Sequence, residues 1–279
     1  MSNKGTSGER PGKYAFSLTS PRILDAMIFL RPVISIIIPV LNEEKVLKET
    51  LASLPWDPDL EIIIVDGGSA DDTLAVAAGF PFARLLAAPR GRGCQMNAGA
   101  LASLGEFLVF LHADTLLTAE HLEALRQALA DPAFAAGAFE LALRPSTPAL
   151  GFIAWGANHR ARVLGLPYGD QVLIIKRSLF LSLGGYVHRR PEDLDLVLRL
   201  KNRTRLKILS PPVSSSGRRW LEKGYLRTSL HNWLALARHL AERVFTRNWP
   251  REGDLIVGGG GGQGARTPAP SPTTPPPTL

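Results

Sequence analysis

Four short runs of β-branched and aliphatic residues punctuate the first half of this chain, and a helix-length stretch follows each of them. They are Val33-Ile-Ser-Ile-Ile-Ile-Pro-Val40, Leu60-Glu-Ile-Ile-Ile-Val65, a shorter run at 84–87, and Phe107-Leu-Val-Phe-Leu111. Runs this apolar read as strands covered on both faces. The segments between and after them, at 42–54, 71–78, 95–104 and 118–130, read as helices, with Asn42 the expected N-cap of the first. Strands alternating with helices imply right-handed βαβ units, hence an α/β fold with a mainly parallel central sheet and helices on both faces. Ligands of such sheets bind beyond the carboxyl ends of the strands. The strand ends are therefore the place to look for chemistry.

After Gly137 the rhythm changes. Strands are predicted at 138–143, 172–175 and 207–209, and helices at 151–164, 178–183 and 192–200. A long helix at 225–247 carries an apolar stripe at 226, 230, 233, 237, 240 and 244. It reads either as packing onto the domain or as an amphipathic helix lying on a membrane. Residues 1–31 and 251–279 are polar, Gly/Pro-rich extensions expected to be disordered, which leaves 32–250 as one folded domain. A single cysteine, Cys94, excludes an intramolecular disulfide and a multi-cysteine zinc site, and fits a reducing cytoplasm. The net charge is +7, and the stretch 189–227 alone, with eleven Lys/Arg against four Asp/Glu, carries that amount. Such a patch suits phosphate-bearing ligands or anionic lipid headgroups. Nucleic acid is disfavoured, because no recognised binding motif accompanies the charge. No apolar run reaches the roughly 20 residues that span a bilayer. The expected location is the cytoplasm, with peripheral contact at the inner face of the membrane.

Each strand end has a chemical reading and a plain structural one. His112 and Asp114 are alternate residues of an extended segment and face one side together. A carboxylate there can hold Mg²⁺ or Mn²⁺ against phosphate oxygens, whereas Asp114 taken alone reads as the cap of the helix at 118. Asp66 followed by Gly67 and Gly68 suits a ribose or base approaching the backbone, or a tight turn into a helix. Arg90 and Arg92 stand on a Gly-containing loop before a helix, suited to phosphate or merely solvated. Glu192, Asp193 and Asp195 open a helix; dipole compensation explains one or two of them, and a general base needs such an acid. Arg218, Arg219 and Trp220 can hold phosphate or stack on a ring, or form a basic turn anchored by its indole. There is no G-x-G-x-x-G after the first strand, no P-loop and no H-E-x-x-H, which disfavours a dehydrogenase, a P-loop NTPase and a zinc hydrolase.

In order, Ile37-Ile-Pro-Val-Leu-Asn-Glu-Glu44, Val65-Asp-Gly-Gly-Ser-Ala-Asp-Asp-Thr73, Gln95-Met-Asn-Ala-Gly99 and Phe110-Leu-His-Ala-Asp-Thr115 resemble the family 2 glycosyltransferases with the GT-A fold. With Leu166-Pro-Tyr-Gly-Asp-Gln171 the resemblance narrows to a bacterial subgroup and runs over about 33–249. It implies a nucleotide-diphosphate sugar donor, a divalent cation, and inversion at the anomeric carbon on transfer to an acceptor hydroxyl, lipid or carotenoid-like. Carried over, Asp193 with Glu192 is the base, and Asp114 with His112 is the metal site. Donor contacts fall to Pro39, Asn42, Glu43, Asp66, Gly67, Ser69, Arg92, Gln95, Asn97, Ala113, Arg218, Arg219 and Trp220. Gly169, Asp170 and Gln171 fall on the acceptor side. Two departures stand out: His112 replaces the first acid of the Asp-x-Asp motif, and Cys94 takes the place of a basic residue. The rival readings are a nucleotidyltransferase, which needs a Gly-rich basic loop where 39–44 stands, and a catalytically weak nucleotide-sugar- or lipid-binding module.

Overall fold

The β-branched runs do become neighbouring strands. In the computed structural model, which describes residues 33–187, 192–225 and 234, β1 (Ile34–Val40), β2 (Leu60–Asp66), β3 (Ala83–Ala87) and β4 (Phe107–Phe110) pair in parallel. Helices α1 (Glu44–Ser53), α2 (Thr73–Ala78) and α3 (Arg92–Ala102) make the crossovers. A two-residue strand β5 (Thr115–Leu116) and helix α4 (Ala119–Leu129) follow β4. Then come β6 (Ala136–Arg144), α5 (Pro148–Leu164), a 3₁₀ turn at Gly169–Gln171, β7 (Leu173–Lys176) and α6 (Arg177–Ser182). Helix α7 (Glu192–Lys201), β8 (Lys207–Ser216) and α8 (Arg218–Lys223) complete the order. One sheet of eight strands runs β3-β2-β1-β4-β7-β6-β8-β5. Its β3-β2-β1-β4 half is parallel, while β7 is antiparallel to both β4 and β6, and β5 to β8.

Alternation along each strand divides the core into two layers. Ile36, Ile38, Ile62, Ile64 and Val109 pack with Leu47 and Leu51 of α1 and with Leu122 and Leu125 of α4. Ile37, Ile63, Val65, Leu108 and Phe110 pack on the opposite face with Met96, Ala100, Phe180 and Leu196. Pro39 is tolerated inside β1 for a local reason. The Val40 carbonyl is turned to β2 and the Ile37 carbonyl to β4, so by alternation Pro39 faces the β4 side. Its missing donor therefore falls beyond Ile37–Phe110, where the pairing with β4 ends.

Three expectations are corrected. Asn42 is not a helix cap: it sits at φ 57°, and its side-chain oxygen accepts from the Ala70 N–H at 2.8 Å, tying the end of β1 to the end of β2. Asp114 does not cap the helix at 118, because Thr118 and His121 do so with a reciprocal capping box. Strand β8 runs to Ser216 rather than stopping at 209. Pro211 and Pro212 mask it, yet they fall in a bulge where the register jumps from Phe139↔Leu209 to Leu141↔Val213, so their missing donors cost no regular ladder bond. Residues 216–220 are accordingly a strand end and the start of a helix, not a free basic turn. The predicted helix at 225–247 and both extensions lie outside the described residues, apart from Tyr225 and Leu234.

Candidate active site

The carboxyl ends of the adjacent strands β1, β2 and β4 lie side by side, and hydrogen bonds from backbone N–H groups after β1 to side chains after β2 tie the first two together. The Asn42 N–H donates to Ser69 Oγ, the Glu43 N–H to Thr73 Oγ1, and the Glu44 N–H to Asp71 Oδ2. Asp66 is buried, and its carboxylate accepts from the Gly68 and Ser69 N–H groups and from Ser69 Oγ. Its own turn thus satisfies much of its capacity. Gln95 is also buried, and its amide nitrogen donates to the carbonyls of Val40 and Val65 at 2.7 and 2.8 Å. A β-carbon on Gly67 would meet that amide at 2.9 Å, so glycine is required there by close approach. Asn97 exchanges two 2.8 Å bonds with the backbone of Tyr186. Gln171 is fully buried and bonds the Phe139 carbonyl and the Tyr168 N–H. The amides of Gln95, Asn97 and Gln171 are committed to the scaffold; they set the shape of the site.

The charged groups gather around Gly169. His112, two residues past β4, and Asp193, at the start of α7, both bring a side-chain atom close beside Gly169. A β-carbon on Gly169 would lie 2.8 Å from the one and 2.5 Å from the other. Arg92 Nη1 stands 3.7 Å from Asp193 Oδ2. Burial, opposed by Arg92 and reinforced by Glu192 and Asp170, pushes the Asp193 carboxyl up to about 6. Burial and Arg92 together hold the His112 imidazole down at about 3, so it is neutral. Asp114 is raised by burial and held back by Arg218, Arg92 and Arg144; Arg218 Nε lies 3.8 Å from its Oδ2. The loop of Ala113 and Asp114 is fixed through its carbonyls, by Thr50 Oγ1 on the former and by the Ser216 N–H and Arg144 on the latter. Arg218 also donates to Glu43 Oε2 at 2.7 Å, joining α8 to the start of α1. Arg219 is exposed beside it, and Trp220 is buried under α5.

Among the described residues, five buried polar atoms lack a hydrogen-bond partner: Asp193 Oδ1, Asp170 Oδ1, Tyr186 Oη, Trp220 Nε1 and Arg144 Nε. Asp193, Asp170, Tyr186 and Arg144 belong to or adjoin this cluster, whereas Trp220 lies under α5. Orphaned buried groups are rare in a folded protein, and their concentration marks where a polar ligand is missing its partners. Tyr186 and Arg144 escaped sequence reasoning. Tyr186 follows a Gly-Gly helix end with no motif around it, and Arg144 closes a strand whose neighbours are unremarkable. Arg160 escaped as well; its guanidinium lies 3.7 Å over the Tyr168 ring and opposes the burial that raises Asp170. Among the described residues no three His, Cys, Asp or Glu side chains converge as a closed metal cage. The donor set instead fits a hard cation held by one or two carboxylates and completed by phosphate oxygens.

The arrangement is that of a GT-A fold: a half-parallel sheet with an acid-rich cleft at its strand ends. Residues 35–146 match the family described as Glycosyl transferase family 2. The matched stretch is about two fifths of the chain, and curated glycosyltransferases are similar over the same part. An uncharacterized glycosyltransferase of Mycobacterium tuberculosis is 34% identical over 93 residues, 33% of this chain and 41% of the relative. A PGL/p-HBAD biosynthesis glycosyltransferase of the same species is 39% identical over 94 residues, 31% of this chain and 37% of the relative. The match thus spans about two fifths of these relatives' own length. Among solved structures, a mannosyltransferase from Pyrobaculum calidifontis in complex with GDP-Man and Mn²⁺ superposes with a TM-score of 0.57 at 24% identity, over 79% of this chain and 66% of that one. Glucosyl-3-phosphoglycerate synthase from Mycobacterium tuberculosis, in complex with Mn²⁺ and UDP, gives 0.52 at 19% identity, over 75% and 77%.

Proposed function

We propose that this protein is an inverting glycosyltransferase that moves a sugar from a nucleotide-diphosphate donor to an acceptor hydroxyl of a lipid or carotenoid-like molecule. The observation that carries the reading is Asp193: a buried carboxylate raised to about 6, with one oxygen unpartnered and the other facing Arg92. A base tuned toward neutrality and aimed into a cleft suits removal of a hydroxyl proton. In this reading Asp193 takes the acceptor proton as the acceptor oxygen attacks the sugar from the face opposite the leaving diphosphate. Glu192 keeps Asp193 basic by like-charge repulsion. Arg92, Arg218 and Arg219 bind the diphosphate and offset its growing negative charge.

Asp66, Gly67 and Ser69 border the nucleoside, with Pro39, Asn42 and Glu43 shaping the adjoining strand end. Asp114 with neutral His112 would hold a divalent cation, Mg²⁺ or Mn²⁺, and the unpartnered oxygen of Asp170 extends that donor set. Such a cation supplies charge neutralisation on the leaving diphosphate. Gly169 and Gln171 floor the acceptor side. No helix among the described residues is long and apolar enough to cross a membrane, and we place the working protein at the cytoplasmic face of one. The test is Asp193→Asn: transfer is expected to fall by about a thousandfold or more, at the upper end of general-base effects, while nucleotide-sugar affinity is kept. Full transfer by the variant would remove the assignment.

A further inference from the structure

We propose that Arg218 is the resident counter-cation of Asp114, and that it keeps a divalent cation weakly held until a nucleoside diphosphate draws the guanidinium away. The inference rests on the reading of Asp114 as the metal acid and adds an order of events to it. Asp114 is partly buried, and a carboxylate withdrawn from water needs a partner. Arg218 Nε lies 3.8 Å from its Oδ2, and of the three arginines that hold the carboxyl down Arg218 acts most strongly. The other two are engaged elsewhere. Arg144 donates to Glu49 and to the Asp114 backbone carbonyl, and Arg92 faces Asp193. His112, in the place of a second acid, is neutral and lies beside Gly169, and the Asp170 carboxyl is opposed by Arg160. Asp114 with Arg218 on it is thus a pair without net charge, flanked by further arginines. A dication meets little attraction there on its own.

Arg218 is also placed to leave. Its side chain is 42% exposed on the first residue of the six-residue helix α8, and an ion pair with one partner in water is worth little. A diphosphate offers the guanidinium paired, charge-assisted hydrogen bonds, each about twice as strong as a neutral one. The stronger partner wins the arginine. Glu43 supplies the pivot: its Oε2 accepts from Arg218 Nη2 at 2.7 Å, so Nε can turn from Asp114 while Nη2 stays anchored. Glu43 is therefore a positioning residue for Arg218. Once the guanidinium has turned to phosphate, the freed Asp114 carboxylate and the phosphate oxygens attract the cation together. By linkage, nucleotide and cation each tighten the other through the same arginine.

The experiment is titration of the full chain with Mn²⁺ alone, followed by electron paramagnetic resonance, and again with saturating GDP or UDP. Arg218→Gln is expected to bind Mn²⁺ alone about tenfold or more tightly than wild type, because a positive charge 3.8 Å from the carboxylate oxygen is removed. Arg218→Lys keeps the charge and should stay within about threefold of wild type. Saturating nucleotide should tighten Mn²⁺ in wild type by a factor about tenfold larger than in Arg218→Gln. Glu43→Gln should weaken GDP or UDP about threefold in wild type and leave it unchanged in the Arg218→Gln background. Equal Mn²⁺ affinity in wild type and Arg218→Gln, with Asp114→Ala weaker than both, overturns the inference and leaves Asp114 as the metal acid. Mn²⁺ affinity that Asp114→Ala does not change removes the metal reading itself, and the inference with it. Arg218→Lys binding as tightly as Arg218→Gln also overturns it, because charge is then not the cause.

Discussion

At the scale of single residues the proposed base, Asp193, and the glycine beside it, Gly169, carry the sharpest tests. Asp193 Oδ2 and His112 Nε2 occupy the space that a β-carbon on this glycine would need. Gly169→Ala is therefore expected to displace one or both and reduce transfer by about a hundredfold or more, with far-UV circular dichroism unchanged. Retained activity would show that the site relaxes around a methyl group. Asp193 also makes a pH prediction. Its carboxyl titrates near 6 in the fold against an ordinary 3.8, so the native state favours the protonated form. The associated stability is complete below about pH 4 and is lost as the pH rises through 6. Asp193→Asn, neutral throughout, should unfold at higher temperature than wild type above pH 6, by on the order of 1–3 kcal/mol. That advantage should disappear below pH 4. Wild-type transfer should rise with pH and reach half its plateau near 6, because the ionised form is the base.

At the scale of elements, side chains of one segment hold the ends of others. Gln95 of α3 clamps the ends of β1 and β2, and Asn97 on the same helix clamps the backbone of Tyr186. Arg199 of α7 is buried against Asp195 and donates to the carbonyls of Leu183 and Gly185 at 2.6 Å, fixing the segment that carries Tyr186 towards the cleft. Gln95→Ala leaves two strand-end carbonyls short of a donor. It should cost about 1–3 kcal/mol in chemical denaturation and weaken nucleotide binding through the Gly67 loop. An unchanged denaturation midpoint would mean that water replaces the amide. Sequence alone ranked these amides with the ligand contacts, since a Gln-Met-Asn triplet looks the same whether it faces a sugar or a carbonyl.

For the molecule as a whole, ligand binding should appear as stability. A nucleotide sugar at a hundred times its dissociation constant stabilises by about 2.7 kcal/mol, which raises the midpoint by roughly 5–11 °C for a domain of this size. Screening GDP- and UDP-sugars by thermal shift, with and without Mn²⁺, should find one donor whose shift grows with the cation. Asp114→Ala should remove the cation-dependent part and keep the remainder. Identical shifts in both conditions for wild type would count against Asp114 as the metal acid.

The periodicity of the chain was enough to establish the parallel half of the sheet and its strand ends, because short unbroken apolar runs alternating with helix-length stretches suit strands covered on both faces. The ordered motifs likewise pointed to the family whose description matches residues 35–146. The antiparallel return of β7 and the length of β8 had to come from the tertiary structure, since a bulge accommodates the prolines that locally forbid a strand. Which polar residues are tied into the scaffold was a tertiary matter too. Burial and satisfaction depend on partners far apart in sequence, such as Tyr186 with Asn97 or Arg218 with Glu43.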